Sequence, residues 1–120
     1  MRILVTGGAG LIGTNLSNRL LSDSHEVVLF DNVGRAGDEE NLNWLRRQHR
    51  DRNQFVKGDV RDYGAVEKVM SGAEIVFHLA AQVAVTTSVL NPQEDFSVNA
   101  LGALNVLESA RRQRRMPIVL

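Results

Sequence analysis

The sequence predicts an α/β fold with a doubly wound parallel β-sheet that is covered by helices on both faces. Three observations predict it: short apolar runs typical of strands buried on both sides, amphipathic segments between those runs, and a glycine-rich turn after the first run. Strand and helix alternate along the chain, which favours right-handed βαβ crossovers. We therefore expect a ligand site at the carboxyl ends of the strands.

Two strands and two helices are expected in the first half of the chain. The apolar run at residues 3–5 predicts the first strand, and the run at 27–30 predicts the second. An amphipathic helix is expected between them, and its apolar face comprises Ile12, Leu16, Leu20 and Leu21. Gly34 and Gly37 then indicate a loop before a second helix, which is centred on residues 42–45.

The second half continues the alternation. Residues 54–57 are a weaker strand candidate, Asp62 is placed to cap a third helix, and residues 75–79 predict a fourth strand. Pro92 precedes a long helical pattern in which Phe96, Ala100, Ala103, Leu107 and Ala110 share one apolar face, which could pack internally or form a dimer interface. A further apolar run begins at residue 118, so we expect a Rossmann-type domain over residues 1–120 that is truncated at the fifth strand and continues beyond Leu120.

The composition restricts the class of function. Fourteen basic residues balance fourteen acidic ones, which argues against nucleic-acid or anionic-membrane partners. The absence of cysteine excludes a disulfide scaffold and a thiolate metal site, and no metal site is predicted. With no leader-like start and no apolar stretch of membrane-spanning length, we expect a soluble cytoplasmic protein that binds a small molecule.

A glycine-rich turn joins the first strand to the first helix. It reads Thr-Gly-Gly-Ala-Gly-Leu-Ile-Gly over residues 6–13 and matches both G-x-G-x-x-G and T-G-x-x-G-x-x-G. A pyrophosphate needs backbone N–H groups, no intervening Cβ and the positive end of a helix dipole, and such a turn supplies all three. Close packing of strand against helix is the alternative explanation. The predicted dinucleotide contacts here are Gly7, Gly10, Leu11, Ile12 and Gly13.

The residue that ends the second strand indicates which dinucleotide is bound. The carboxylate of Asp31 can accept hydrogen bonds from both hydroxyls of the adenosine ribose, and it would repel the 2′-phosphate of NADP. Asn32 and Arg35 follow it in the predicted site, and Arg35 could instead pair with a 2′-phosphate. NAD is therefore the predicted cofactor and is expected to bind more tightly than NADP. Because of Arg35, binding of NADP remains an alternative.

Three further stretches make the sequence resemble a known family. They are Gly-Asp-Val-Arg-Asp at residues 58–62, His-Leu-Ala-Ala-Gln at residues 78–82, and Asn99 in the long helix. The family is the extended short-chain dehydrogenase/reductases, which include NAD-dependent epimerases and dehydratases of nucleotide sugars, and the resemblance covers essentially the whole chain. Within it, the stretches at residues 31–35, 41–45 and 82–96 are most similar to the 2-epimerases that act on CDP-sugars.

The resemblance implies roles for residues outside the glycine turn. Asp59 would accept a hydrogen bond from the adenine amino group, and Val60 would offer a backbone contact. The path towards the nicotinamide ribose would be lined by Leu79, Ala80, Ala81 and Gln82. Asn99 is expected to carry a buried amide that contacts either the ligand or neighbouring backbone. The hydroxyls of Thr86, Thr87 and Ser88 would reach the nicotinamide half or the sugar, with local helix hydrogen bonds as the alternative.

The mechanism that the resemblance implies is hydride abstraction from a sugar carbon by bound NAD, followed by return of hydride to the other face. The family uses a Tyr with a nearby Lys, and Tyr63 has Glu67 where Tyr-x-x-x-Lys needs the lysine. No catalytic residue is thus expected within residues 1–120, and no turnover by these residues alone. The full-length protein is expected to take a nucleotide sugar and to form a homo-oligomer. A non-catalytic dinucleotide sensor, a dehydratase and an NADP-dependent reductase remain as alternatives.

Overall fold

The computed structural model describes the backbone of residues 1–120 and the side chains of residues 1–50 and 52–120. The strands are β1 (Arg2–Thr6), β2 (Glu26–Asp31), β3 (Asn53–Lys57), β4 (Ile75–His78) and β5 (Ile118–Val119). The helices are α1 (Leu11–Ser22), α2 (Asp38–His49), α3 (Tyr63–Met70), α4 (Val85–Leu90), α5 (Pro92–Phe96) and α6 (Gly102–Arg111). A 3₁₀ turn (Arg50–Arg52) precedes β3, and a π-helical turn (Ser97–Leu101) joins α5 to α6.

The five strands form one parallel sheet in the order β3-β2-β1-β4-β5. The chain moves outwards from β1 to β2 and β3, and then crosses back to place β4 on the other side of β1. Thr6 at the end of β1 lies opposite both Phe30 of β2 and His78 of β4. The strand order thus reverses at β1, which opens a crevice at the carboxyl ends of the strands. The predicted α/β fold is confirmed.

An apolar cluster covers each face of the sheet. The cluster beneath α1 and α2 includes Ile3, Val5, Leu29 and Leu45. The cluster beneath α3 and α6 includes Leu4, Val28, Val66 and Val106. Because successive residues of a strand point to opposite faces, the continuous apolar runs of β1 and β2 supply both clusters. Each fully buried side chain of this size contributes roughly 1.5–3 kcal/mol to folding.

The apolar face predicted for α1 is wrong in its first turn. Ile12 is 71% exposed, whereas the buried residues of the helix are Gly13, Thr14, Ser17 and Leu21. The helix begins so close to the preceding turn that a Cβ on Gly13 would lie 2.3 Å from the carbonyl oxygen of Gly7. Small residues therefore face the sheet where the hydrophobic pattern predicts large ones.

The residues after Pro92 that were expected to share one face do not form a continuous face, because the π-helical turn interrupts the helix. A π turn adds one residue and so rotates the downstream face by about 100°. The buried residues of α6 are Gly102, Asn105, Val106, Ser109 and Ala110. Of the predicted face, Ala110 is buried, but Phe96 and Leu107 are 68% and 55% exposed.

The start of α3 follows the sequence pattern closely. Asp62 is its N-cap, and the carboxylate accepts a hydrogen bond from the backbone N–H of Ala65 at 3.3 Å. The predicted cap is therefore confirmed. Across the described chain, no helix combines the length and the apolar character that crossing a membrane requires.

Candidate dinucleotide-binding site

A cleft of about 220 Å³ lies at the carboxyl ends of the central strands. Its first wall consists of Gly7 and Gly10 of the glycine turn and of the segments 31–35 and 58–61; its second wall is the segment 79–82. The predicted residues that line it are Gly7, Gly10, Asp31, Asn32, Arg35, Asp59, Val60, Leu79, Ala80, Ala81 and Gln82. The fold thus brings four separate predicted stretches to one place.

The other predicted residues do not line this cleft. Leu11, Ile12 and Gly13 form the first turn of α1 beside Gly10. Thr86, Thr87 and Ser88 lie on α4, where the hydroxyl of Ser88 donates to the carbonyl of Val85 at 2.6 Å. The Ser88 hydroxyl therefore makes the local helix bond that was the alternative to a ligand contact.

Internal packing explains some glycines of the turn but not all. Gly7 has φ +69°, and a Cβ on it would lie 2.7 Å from the backbone nitrogen of Ala80. Gly13 is equally constrained, since its Cβ would meet the Gly7 carbonyl. Gly10 has φ −71°, and an added Cβ would meet only the Gly7 carbonyl oxygen, at an ordinary contact of 3.4 Å. The missing side chain of Gly10 therefore leaves open space that the protein's own packing does not require.

That open space lies in front of the amino-terminal end of α1. Gly10 is the N-cap of this helix, and no side chain caps it. In the first turn of a helix the N–H groups of Leu11, Ile12 and Gly13 have no intrahelical acceptor, and the helix dipole adds partial positive charge. These donors and the space before Gly10 fit a pyrophosphate group.

Asp31 faces the cleft at the end of β2. Its Oδ2 accepts a hydrogen bond from the backbone N–H of Ala9 at 3.0 Å, and its Oδ1 accepts one from that of Val33 at 2.8 Å. Each carboxylate oxygen can accept two hydrogen bonds. One acceptor site on each oxygen is therefore available for a pair of ribose hydroxyls.

Asp59 lies after β3 and forms an ion pair with Arg61 that was not predicted from the sequence. Arg61 donates to Oδ1 through Nε at 3.0 Å and to Oδ2 through Nη2 at 2.7 Å. These side-chain hydrogen bonds hold the pKa of Asp59 below its ordinary value. The carboxylate is thus charged at neutral pH, and Arg61 joins the site by lining the same cleft.

Val60 is hydrogen-bonded to helix α6. The side chain of Val60 is buried, and its carbonyl accepts a hydrogen bond at 2.9 Å from the buried amide of Asn105 on α6. The role of Asn105 was not predicted from the sequence. The available signal was its position on the same helix face as Gly102 and Val106. Its amide fixes the segment after β3 against α6.

Thr6 organises the end of β4. Its buried hydroxyl accepts hydrogen bonds from the backbone N–H groups of Leu79 and Ala80, each at 3.2 Å, and lies 2.7 Å from Nδ1 of His78. Because the hydroxyl already accepts two protons, its own proton goes to Nδ1, which places the imidazole proton on Nε2. Burial lowers the pKa of His78, which agrees with a neutral ring.

Two side chains hold the end of the second wall. Asn99 accepts from the backbone N–H of Gln82 at 2.7 Å and donates to its carbonyl at 3.0 Å. The expectation of a buried amide is wrong, since Asn99 is exposed, and its partner is neighbouring backbone. Arg35 reaches across the cleft and donates to the carbonyl of Ala81 at 3.0 Å.

The only tyrosine lies away from the cleft. Tyr63 begins α3, and its hydroxyl accepts a hydrogen bond from the guanidinium of Arg112 at 3.4 Å. Among the described side chains, no group of three His, Cys, Asp or Glu converges in a way that could hold a metal ion.

Comparisons with known proteins agree with this geometry. A family model described as GDP-mannose 4,6 dehydratase matches residues 4–119. The chain is 41% identical over 114 residues to CDP-paratose 2-epimerase of Salmonella typhi. The matched region covers 93% of this chain and 33% of that relative. It is 42% identical over 112 residues to UDP-glucose 4-epimerase of Mycolicibacterium smegmatis, with 92% and 35% covered.

A solved structure gives the same result. The UDP-glucose 4-epimerase of Thermus thermophilus, in complex with NAD, is similar with a TM-score of 0.80 and 40% identity, covering 93% of this chain and 34% of that one. The chain spans about a third of the length of the curated relatives that it matches. It belongs to the GDP-mannose 4,6 dehydratase family of NAD-dependent epimerases and dehydratases.

Proposed function

We propose that this chain is the NAD-binding part of a nucleotide-sugar epimerase, and of a CDP-sugar 2-epimerase in particular. The observation that carries cofactor binding is Gly10, whose missing Cβ serves no internal contact and opens the uncapped end of α1 to a phosphate. The 41% identity to a CDP-paratose 2-epimerase supports the substrate class.

Different residues of the cleft bind different parts of NAD. The first turn of α1 binds the pyrophosphate, Asp31 binds the adenosine ribose with Asn32 and Arg35 beside it, and Asp59 with Val60 binds the adenine. The segment 79–82, supported by Asn99, lies along the nicotinamide ribose, and Thr86, Thr87 and Ser88 face the substrate side. Bound NAD would supply a reversible hydride acceptor for a carbon of the sugar.

We place the catalytic residues of the whole protein outside residues 1–120. Tyr63 lies away from the cleft and contacts Arg112. The curated relatives are about three times as long as this chain, which leaves room for a Tyr-x-x-x-Lys pattern elsewhere. A homo-oligomer is part of the proposal, supported by the exposed apolar side chains Phe96, Leu104 and Leu107, and a cytoplasmic location is proposed with it.

A dehydratase is the second candidate, because the matching family model is described as one. The two activities differ in the mass of the product: epimerisation leaves the mass of the nucleotide sugar unchanged, whereas dehydration produces a sugar lighter by one water. After incubation of a CDP-sugar with the full-length protein, mass spectrometry of the sugar detects dehydration, and NMR of the sugar distinguishes the epimer from the unreacted substrate. An unchanged substrate, in protein that binds NAD, would favour the non-catalytic sensor.

Cofactor binding is tested first by denaturing the purified protein and identifying any released nucleotide by mass spectrometry, together with titration of NAD and NADP. We expect NAD or NADH to be released and NAD to bind more tightly than NADP. Release of NADP, or tighter binding of NADP, would overturn the assignment of Asp31. Failure to release or bind either dinucleotide would overturn the proposal.

Gly10→Ala tests the observation that carries the proposal. Because the added Cβ makes only an ordinary contact, we expect the free energy of unfolding to change by less than about 0.5 kcal/mol. The affinity for NAD should fall by about tenfold or more, since the methyl group occupies the phosphate space. Gly64→Ala, on the exposed side of α3, is the matched control and should keep the affinity. Unchanged affinity in Gly10→Ala would remove the phosphate from this position.

A further inference from the structure

The hydroxyl of Thr6 has no hydrogen-bonding capacity left over. A hydroxyl has one proton to donate and two lone pairs that accept. Both lone pairs here receive backbone N–H groups, those of Leu79 and Ala80 at 3.2 Å each, and Nδ1 of His78 lies 2.7 Å away to accept the hydroxyl proton. These three contacts exist together only when Nδ1 carries no hydrogen.

Protonation of His78 conflicts with this arrangement. A charged imidazole carries a hydrogen on both nitrogens, so Nδ1 becomes a third donor to the same oxygen and the hydroxyl proton loses its acceptor. The N–H of Leu79 also donates to the carbonyl of Thr6 at 3.1 Å, whereas the hydroxyl is the acceptor that the structure shows for the N–H of Ala80. Ala80 is therefore the residue that a protonated ring would release.

Ala80 connects this hydrogen-bond system to the cleft. Neither Thr6 nor His78 lines the cleft, but Ala80 does, and so does Gly7 of the facing wall. The two walls touch at this point, since a Cβ on Gly7 would lie 2.7 Å from the backbone nitrogen of Ala80. A displacement of Ala80 therefore changes the separation of the walls between which a ligand must fit.

The ring of His78 is half-buried, and burial alone lowers its pKa. It lies on the same face of β4 as Val76, which α3 and α6 cover, while β1 and β5 contribute the Thr6 hydroxyl and the backbone of Leu120. Across the described side chains, no hydrogen bond or ion pair joins the ring to a charged group. The ionisable groups of the helices on this side are exposed or bonded elsewhere: Glu67 and Lys68 are exposed, and contacts join Tyr63 to Arg112, Glu94 to Asn91, Asp95 to Asn99, and Glu108 to Arg111.

From these contacts, and resting on the NAD site proposed above, we propose that His78 is a positioning residue that keeps the second wall in its NAD-binding form only while its ring is neutral. The ring acts through the Thr6 hydroxyl and Ala80, and it does not touch the cofactor. The wall binds the nicotinamide half of NAD less tightly once the ring takes up a proton. By linkage, bound NAD opposes that protonation.

The sign of this linkage separates it from a direct electrostatic effect. NMR of the full-length protein with ¹⁵N-labelled histidine measures the pKa of His78 with and without NAD, and His78→Asn identifies the signal. We expect NAD to lower this pKa by about one pH unit, which corresponds to a tenfold difference in NAD affinity between the two forms of the ring. A pyrophosphate acting through space would favour the charged ring and raise the pKa. A rise, or no change, would overturn the inference.

The pH dependence of NAD affinity gives a second test. His78→Asn places an amide oxygen near the position of Nδ1 and cannot be protonated in this range, so at pH 8 its affinity should stay within about threefold of the native value. One pH unit below the measured pKa of His78, isothermal titration should show that the native affinity has fallen about fivefold relative to that of the variant. Both proteins retain Asp31 and Asp59, so comparing them at each pH cancels the titration of those carboxylates.

Two other variants test the route through Thr6. His78→Phe keeps a ring and removes the acceptor, so NAD should bind about tenfold more weakly at every pH. His49 is a second buried histidine whose pKa is lowered by burial, and it contacts Asn18 at 2.7 Å. His49→Gln retains a donor to Asn18, and it should keep the native pH profile. The NMR measurement uses the native ring and decides the inference if a variant does not fold.

The failure of this inference is distinguishable from failure of the function on which it rests. If His78→Asn keeps the native pH profile, or if His49→Gln abolishes it, the role of His78 is wrong and the NAD site stands. If the native protein does not bind NAD at pH 8, the proposed function fails together with the inference.

Discussion

The two walls of the cleft are built in different ways. The first wall is shaped by backbone packed against backbone and by carboxylates that accept from nearby main chain, as at Gly13 and Asp31. The second wall is held by side chains from distant elements: Thr6, Arg35 and Asn99. The comparison teaches that the first wall should be intolerant of added atoms, whereas the second should be sensitive to the loss of single polar groups.

Gly13→Ala is expected to have the largest effect, because it breaks the first wall. The added Cβ would lie 2.3 Å from the carbonyl oxygen of Gly7, so backbone must shift. We expect the free energy of unfolding to fall by about 2–3 kcal/mol in urea denaturation. Gly10→Ala, three residues away, serves as the control. Equal stability of the two variants would contradict the steric explanation.

Thr6→Val tests the second wall with a side chain of nearly the same shape. The change leaves the N–H of Ala80 and Nδ1 of His78 without their partner, whereas the N–H of Leu79 keeps the carbonyl of Thr6. We expect a loss of about 2 kcal/mol in the free energy of unfolding. Thr6→Ser retains the hydroxyl and should recover most of that loss. A serine variant as unstable as the valine variant would assign the effect to packing of the methyl group.

Asp38→Asn is expected to have the smallest effect on the free energy of unfolding, and the size of this effect depends on pH. Asp38 is 5% exposed, and burial raises the pKa of its carboxyl above the ordinary value of 3.8. The folded state therefore favours the protonated acid, and the stability that this gives is lost as the pH rises through the folded pKa. Asn is neutral and can still accept from the N–H of Arg35, so the variant should be more stable than the native protein at pH 7.

The pH profile checks this explanation. The stability difference between Asp38→Asn and the native protein should shrink on acidification and disappear below the ordinary pKa of the carboxyl, where Asp38 is protonated in both the folded and unfolded states. A difference that is independent of pH would mean that burial of the charge is not its cause.

The sequence predicted those features that depend on residues close together in the chain. The glycine turn, the continuous apolar strands and the Asp62 cap are local patterns, and the structure contains each of them. The hydrogen bonds of Thr6 and Asn105 were missed because their partners are 72–74 and 45 positions away, and a single sequence does not show which distant residues meet. Arg61 lies two residues from Asp59, and its two-residue spacing was the signal that could have found it.

The buried faces of the helices were the least predictable part of the fold. In α1 the approach of the helix to the turn, and not hydrophobicity, decides that Gly13 and Ser17 face the sheet. After Pro92 the pattern was interpreted with a constant period of 3.6 residues, which the π turn breaks. Both errors arise because distance to the sheet and local helix winding are tertiary properties.

The π turn at Ser97–Leu101 sets the rotational phase between two parts of one helix. Asn99, within the turn, is hydrogen-bonded to Gln82, while Gly102 beyond it lies so close to Val60 that a Cβ would approach a Val60 methyl to 2.7 Å. Removing one residue here would rotate one part by about 100° relative to the other, so that only one of these contacts could survive. A relative with a one-residue gap at this turn should therefore have changed either its residue 82 contact or its residue 60 contact.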